Sequence, residues 1–187
     1  MTLLLRPAGP ADVAHVDALL RGLSADSAYL RFQTGIGTPS PKLVRALLPE
    51  QGALLGFVDG EVAAHGLWVR SGRAAEIALV VADAHQRRGI GTAVAEALIA
   101  DAAAHGIARI EAFSGAGNGA VARMVGRQAP HALRVLDGSS VTYTFSTLVS
   151  GGGSVGGEHG EVALRELPVQ PLLVQDRAER APDRVAL

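Results

Sequence analysis

Two hydrophobic periods alternate along the chain, and the switches between them mark its elements. Leu3 to Arg6 is a short strand run, stopped by Pro7 and Pro10. Asp12 opens a helical pattern in which Val13, Val16, Leu19 and Leu20 share one face, ending near Gly22. Ser40-Pro41 combines a capping serine with a proline at the first helical position, and Leu43, Val44, Leu47 and Leu48 supply a buried stripe before Pro49. From Ala53 the period shortens to two. ALLGFV, Asp59-Gly60 and EVAAHGLWV read as a hairpin, because Asp-Gly accepts the positive dihedrals of a type I′ turn.

After the SGRAA loop, Glu76 to Ala82 forms a further strand pattern, and a helix follows over roughly Gly91 to Ala104, closed by Gly106. Ile107 to Phe113 is then a strand reached by a helical crossover, which places it parallel to the strand containing Leu79. A shorter helix is expected from Asn118 to Arg127. HALRVL, the turn around Asp137-Gly138 and VTYTFSTLV make a closing hairpin. The order β-α-α-β-β-β-α-β-α-β-β implies an α/β fold of the α+β kind, with a mixed sheet and helices on its faces.

From Ser150 the grammar changes again. SGGGSVGG has the composition of a linker, so residues 1–149 are expected to form one domain, 150–160 a Gly/Ser-rich linker and 161–187 a tail with one short helical candidate at Pro171. A length of 187 residues suits one domain with a real core. The 48% apolar content with 4% aromatics means that small side chains fill much of it.

A net charge of −1 removes a bulk electrostatic case for nucleic acid or anionic lipid, leaving only local patches such as Arg87-Arg88. The absence of cysteine excludes disulfides, thiolate zinc sites and cysteine nucleophiles. No apolar run has the length of a signal peptide core or a membrane span, so the expectation is a soluble, cytoplasmic protein.

The chemistry concentrates in HQRRGIGTAVAEAL, His85 to Leu98. A strand that ends in a glycine-rich turn and enters a helix leaves N–H groups unpaired, and the helix dipole adds partial positive charge. The N–H groups of Arg88 to Thr92, including Gly89, Ile90 and Gly91, form such an anion seat, with Arg87 and Arg88 adding charge. The run lacks the Gly-Lys-Ser/Thr ending of the Walker pattern, and Val94 stands where the dinucleotide fingerprint needs its third glycine or alanine.

Gln86-Arg87-Arg88-Gly89-Ile90-Gly91 resembles the acyl-CoA pyrophosphate loop, Gln/Arg-x-x-Gly-x-Gly/Ala, of the GNAT superfamily of acyl-CoA-dependent N-acyltransferases. The likeness extends to RPAGPAD, to LSADSAYLRF at Leu23–Phe32, to AEIALVVAD and to the Asn118 helix, covering about residues 1–149. LSADSAYLRF and AEIALVVAD look most like Pat-type bacterial protein lysine acetyltransferases. The resemblance implies a central sheet splayed between two parallel strands, acetyl-CoA as co-substrate and no metal. It further implies pantetheine contacts from the strand segment Leu79, Val80 and Val81, and Asn118 beside the pantetheine arm.

Transfer needs a neutral amine, and a lysine-like acceptor with a pKa of about 10.4 lies about 3.4 units, or roughly 4.6 kcal/mol, from that state at pH 7. Glu76 matches the general base of Pat-type enzymes; read without the resemblance, it is a solvated strand-end residue. Two departures stand out. Val125 occupies the place of the tyrosine with which many superfamily members protonate the leaving thiolate, a tyrosine that Pat-type sequences also commonly lack. Ala129-Pro130 replaces the usual Gly-Phe at the entry to the closing hairpin.

Other features weigh less. Ser154 formally satisfies the nucleophile-elbow pattern, but its surrounding glycines make a linker. The six histidines show no paired ligand spacing, and His65 and His85 read as surface or strand-end residues. Tyr29, Arg31 and Phe32 either wall the acceptor site or pack in the core, and Trp68 reads as packing. LLVQDRAERAPDRVAL faintly resembles the start of adenylate-forming ligases, implying a following ligase domain or partner; a tail docked on its own domain is the alternative.

Three functions follow as expectations: acetylation of a protein lysine, acylation of a small-molecule amine or biosynthetic intermediate, and a non-catalytic acyl-CoA sensor. No nucleic acid or membrane partner is expected.

Overall fold

The computed structural model of the chain describes residues 2–147. The strand order in its seven-stranded sheet is β1-β2-β3-β4-β5-β7-β6, formed by β1 (Leu3–Ala8), β2 (Ala53–Val58), β3 (Glu61–Ser71), β4 (Ala74–Val81), β5 (Arg109–Gly115), β6 (Leu133–Asp137) and β7 (Ser140–Ser146). Among the described residues five α-helices accompany it: α1 (Val13–Arg21), α2 (Ala25–Phe32), α3 (Pro41–Ala46), α4 (Ile90–Ala104) and α5 (Gly119–Gln128). The linker and tail expected beyond residue 149, Ser154 among them, lie outside the described residues.

Turn chemistry sets the sheet's register. Asp59 and Gly60 both take positive φ, 50° and 92°, as the β2–β3 turn requires. The SGRAA segment is shorter as a loop than its sequence suggests: β3 and β4 run on until Ser71 faces Ala74, leaving only Gly72 and Arg73 between them. β4 therefore begins two residues before Glu76. The β6–β7 hairpin forms as expected despite Ala129-Pro130.

The mixed character of the sheet comes from one contact. β4 and β5 are parallel, while every other neighbouring pair is antiparallel. The parallel ladder joins only Ala74, Ala75 and Glu76 to Arg109, Ile110 and Glu111. Beyond Glu76 the two strands separate, which is the expected splay.

Helices occupy both faces. α4 packs on β2, β3 and β4, and Gly66 permits it: a Cβ there would lie 2.7 Å from Leu98 Cδ1 and 2.8 Å from Val94 Cγ1. The opposite face of β3 carries α1, and His65 on that face reaches the chain just after α3. α2 packs against β4. The sequence pattern does not reveal α2, because Tyr29, Leu30 and Phe32 form no apolar stripe at helical spacing. Its local chemistry is nonetheless helical, since Ser24 accepts the N–H of Ser27 as an N-cap. Asn118 Oδ1 likewise accepts the N–H of Val121 at 3.2 Å and caps α5.

The turn between β1 and α1 is held by charge. Arg6 donates from both terminal nitrogens to Asp12, at 2.6 and 3.1 Å, and Gly9 N–H adds a third donor. These bonds hold the Asp12 carboxyl well below the usual carboxylate range, against the opposing effect of its burial.

Gly66→Ala is expected to cost about 1–3 kcal/mol by forcing α4 off the sheet, read in a denaturant titration. Asn118→Ala should cost about 1 kcal/mol, whereas Asn118→Asp, which keeps the capping oxygen, should retain most of it; thermal melts of the two variants check this.

Candidate acyl-CoA and acceptor site

Strand separation leaves main-chain groups in need of partners. Ala82 N–H donates to Ala63 O at 2.8 Å, and hydrogen bonding alternates along an antiparallel strand. By that alternation Ala78 and Val80 spend their main-chain groups on β3, with Val80 opposite His65. Leu79 and Val81 instead direct theirs toward the gap left by β5. All four of these residues are buried.

Directly after β4 the chain makes a 3-10 turn over Asp83–His85 and then reverses into α4. Two left-handed residues shape the reversal, Arg87 at φ 61° and Gly89 at φ 82°. Arg87 pays for a conformation that L-residues seldom adopt, and such turns curl a loop into an anion-binding concavity. Gly89 is the N-cap of α4, and no side chain caps the helix. The first N–H to bond back is that of Ala93, to Gly89 O at 3.1 Å. The N–H groups of Ile90, Gly91 and Thr92 thus have no partner within the helix. Thr92 Oγ1 is buried with no hydrogen-bond partner among the described residues. Unmet donors and an orphaned hydroxyl in one helical turn fit a diphosphate.

Arg87 and Arg88 are exposed beside this turn, and Arg88 Nη1 lies 3.4 Å from His85 Nδ1. Gln86 is turned inward instead. Its Nε2 donates to Ser27 Oγ at 2.9 Å and to Val81 O at 3.2 Å, so both amide hydrogens are committed within the protein. Asn118 lies at the end of β5, where its N–H donates to Gly115 O at 2.9 Å, and its side-chain oxygen caps α5. Val125, in the place of the family's tyrosine, is buried in the core.

Glu76 sits at the closed end of the gap, the last residue of β4 paired to β5, with Glu111 beside it. In-register neighbours share a face, so Glu76, Glu111 and Thr144 project to one side. His65 and Val80 are on that same side of the sheet by alternation. His65 is fully buried in the middle of β3, which corrects the expectation of a surface or strand-end residue. Leu47 O accepts from its Nε2 at 2.9 Å, which fixes the tautomer. Burial first, and then the charge of Arg31, push its pKa down to about 3, so the ring is neutral near pH 7.

α2 divides the three residues expected as wall or core. Arg31 is 1% exposed, Tyr29 is 54% exposed and Phe32 is half-buried. The Arg31 guanidinium carbon lies 4.9 Å from the Phe32 ring centroid. Burial lowers the Arg31 pKa to about 10 while Glu76 pulls it upward, so Arg31 remains a cation near neutrality and is electrostatically linked to Glu76. His85 ends the 3-10 turn and is half-buried, close to the expected placement. Trp68 is packing, with its Nε1–H donating to Asp101 Oδ2 at 2.7 Å. Among the described residues, no group of three or more His, Asp or Glu could hold a metal ion, and no helix is long and apolar enough to cross a membrane.

Comparison with known proteins agrees with this geometry. Among curated proteins, none matches the sequence. Solved structures do resemble the fold. The GNAT domain of Streptomyces lividans PAT superposes with a TM-score of 0.71 at 24% identity, over 78% of this chain and 91% of that one. A Salmonella typhimurium structure of yncA, a putative acetyltransferase solved with acetyl-CoA, gives 0.62 at 16% identity, over 79% and 95%. Diaminobutyrate acetyltransferase EctA from Paenibacillus lautus, in complex with L-2,4-diaminobutyric acid and coenzyme A, gives 0.61 at 18% identity, over 81% and 99%. The model of the acetyltransferase (GNAT) family matches residues 21–127, more than half of the chain and the whole span from α2 through the α4 turn to α5. The chain therefore belongs to the GNAT family of acetyltransferases, and it is an acyl-CoA-dependent N-acetyltransferase that uses acetyl-CoA to acetylate an amine.

Proposed function

We propose that the protein acetylates a lysine side chain on another protein, with Glu76 as the base and the Gln86–Thr92 turn as the seat of the coenzyme's diphosphate. The observation that carries this reading is the spacing of the two functions along one gap. Unmet amides lie at its open end, beyond Val81, and a carboxylate lies at its closed end, where β4 last touches β5.

In this reading the N–H groups of Ile90, Gly91 and Thr92 and the Thr92 hydroxyl hold the diphosphate, with Arg87 and Arg88 adding charge. Each charge-assisted bond contributes about 1.5–3 kcal/mol. Main-chain groups of Leu79 and the Val81 N–H pair with the pantetheine arm, the Val81 carbonyl being held by Gln86 Nε2, and the Asn118 amide nitrogen is not used in the cap. Val80 contributes its position in the strand, since its main-chain groups are spent on β3.

Glu76 takes the proton that the acceptor ammonium must lose, directly or through one water. The freed amine nitrogen forms a bond to the acetyl carbon, the carbon–sulfur bond breaks, and sulfur leaves as the thiolate. Buried Arg31 is electrostatically linked to Glu76, and a neighbouring cation favours the ionised carboxylate, the form that can accept a proton, while lowering its affinity for that proton.

A protein acceptor is favoured by the open face around Glu76. Glu111, Phe113, Thr142 and Thr144 are only half-buried there, and Leu133 and Val135 are exposed. No described helix covers those strands on that side, which leaves room for a side chain presented on another protein's surface. The likeness of LSADSAYLRF to Pat-type enzymes points the same way, as does the fold likeness to the PAT domain. A small-molecule acceptor is the second reading, since a protein of this fold holds a diamino acid.

Glu76→Gln should lower turnover by about 10²–10⁴-fold while acetyl-CoA affinity stays near the parent's, measured by initial rates and calorimetry. Mass spectrometry of mixed proteins and free amines after incubation with acetyl-CoA should find the mark on lysine side chains. A mark confined to free amines replaces the lysine reading with the second one. No turnover with any amine would leave a coenzyme-binding sensor.

A further inference from the structure

The most connected polar group near the site serves neither the diphosphate nor the base. Asp83 opens the 3-10 turn after β4, and three donors from a segment 56 to 59 positions away converge on it. Ser24 N–H donates to Oδ2 at 2.9 Å. Ser24 Oγ and Ser27 Oγ each donate to Oδ1 at 2.7 Å. Burial alone would raise the Asp83 pKa, but these donors outweigh it and the net shift is downward. Ser27, 6% exposed, then accepts from Gln86 Nε2, whose second hydrogen goes to Val81 O. Donors and acceptors along the chain are consistent: amide to hydroxyl, hydroxyl to carboxylate.

We infer that Ser27 and Asp83 are positioning residues that clamp the coenzyme turn to α2, so that seating the coenzyme also sets the acceptor wall. The clamp has its two ends on the two half-sites. On the coenzyme side, Gln86 immediately precedes the left-handed Arg87, and Val81 is a residue that faces the gap. On the acceptor side, Ser24 and Ser27 are the N-cap and first turn of α2, and the same helix carries exposed Tyr29 and buried Arg31, the cation linked to Glu76. α2 is eight residues long and packs against β4, and this network adds polar ties from its first turn to the coenzyme turn. Two sites joined by a discrete network share a coupling free energy, and the coupling is reciprocal.

This inference rests on the acetyl-CoA reading of the turn, and its test separates the two. Acetyl-CoA would be titrated calorimetrically into the parent, Ser27→Ala, Ser27→Thr and Asp83→Asn, with hydrogen exchange of residues 25–32 followed in each. In the parent, acetyl-CoA should slow exchange across α2. Ser27→Ala should bind about tenfold more weakly, within the range expected for coupling through packed networks, and α2 should no longer respond. Ser27→Thr, which keeps the hydroxyl, should recover both properties. Asp83→Asn, on the exposed turn, removes the charge and exchanges the oxygen that accepts Ser24 N–H for an amide donor, so it should move both properties in the direction of Ser27→Ala, which serves if the buried substitution does not fold. Parent-like affinity and parent-like slowing of α2 in Ser27→Ala or Asp83→Asn would overturn the inference and leave the coenzyme reading intact. Absence of acetyl-CoA binding by the parent would overturn both.

Discussion

A parallel ladder that stops after three residue pairs governs the structure's working part. Sheets ordinarily satisfy main-chain donors and acceptors by continuing to pair, and unmet buried groups cost free energy comparable to a lost hydrogen bond. Here β4 loses β5 after Glu76 and continues to Val81 with one side of its ladder open. That debt can be discharged by an extended ligand lying where the missing strand would be. The turn into α4 adds a second set of unmet donors at the end of the same gap, and Gly66 lets α4 approach the sheet closely enough to put them there. In the proposed reading, fold and coenzyme site are one arrangement of unpaired backbone.

The acceptor side is organised by charge and burial rather than by backbone. Arg31 is taken almost completely out of water; burial lowers its pKa to about 10, Glu76 offsets part of that, and it stays a cation near neutrality. His65, also buried, accommodates the same cation by staying neutral and giving its proton-bearing nitrogen to Leu47 O. The Glu76 face opens outward past β5 and β7, whereas the opposite face is closed by α4 and α5, tied to each other by Gln128 and Glu96. Coenzyme and acceptor can therefore approach the gap from different directions.

Much of this was legible in the sequence where local stereochemistry decides the outcome. Asp59-Gly60 and Ser40-Pro41 each favour one backbone path and take it, and the QRRGIG run turns into α4 with Gly89 as its N-cap. The crossover through α4 dictated the parallel pair. What escaped is what depends on tertiary surroundings. α2 has no apolar stripe, so only its capping serine marks it, and its hydrogen bonds to Asp83 reach across the fold. His65 looked polar enough for the surface, yet it lies inside, neutral, with Nε2 on a carbonyl at the end of α3 and Nδ1 without a partner among the described residues. Gln86 belongs to the phosphate motif by sequence, but its side chain is spent on Ser27 and Val81. Nothing in the local pattern encodes a partner 59 positions away.

The central claim is that backbone amides at the start of α4 hold a diphosphate. Amide resonances of Gly89, Ile90, Gly91 and Thr92, followed during titration with coenzyme A and separately with pantetheine, test it most directly. The account predicts large, saturable shifts at these four amides with coenzyme A and none with pantetheine, which lacks the diphosphate. Unmoved amides with coenzyme A, or equal shifts with both compounds, would contradict it.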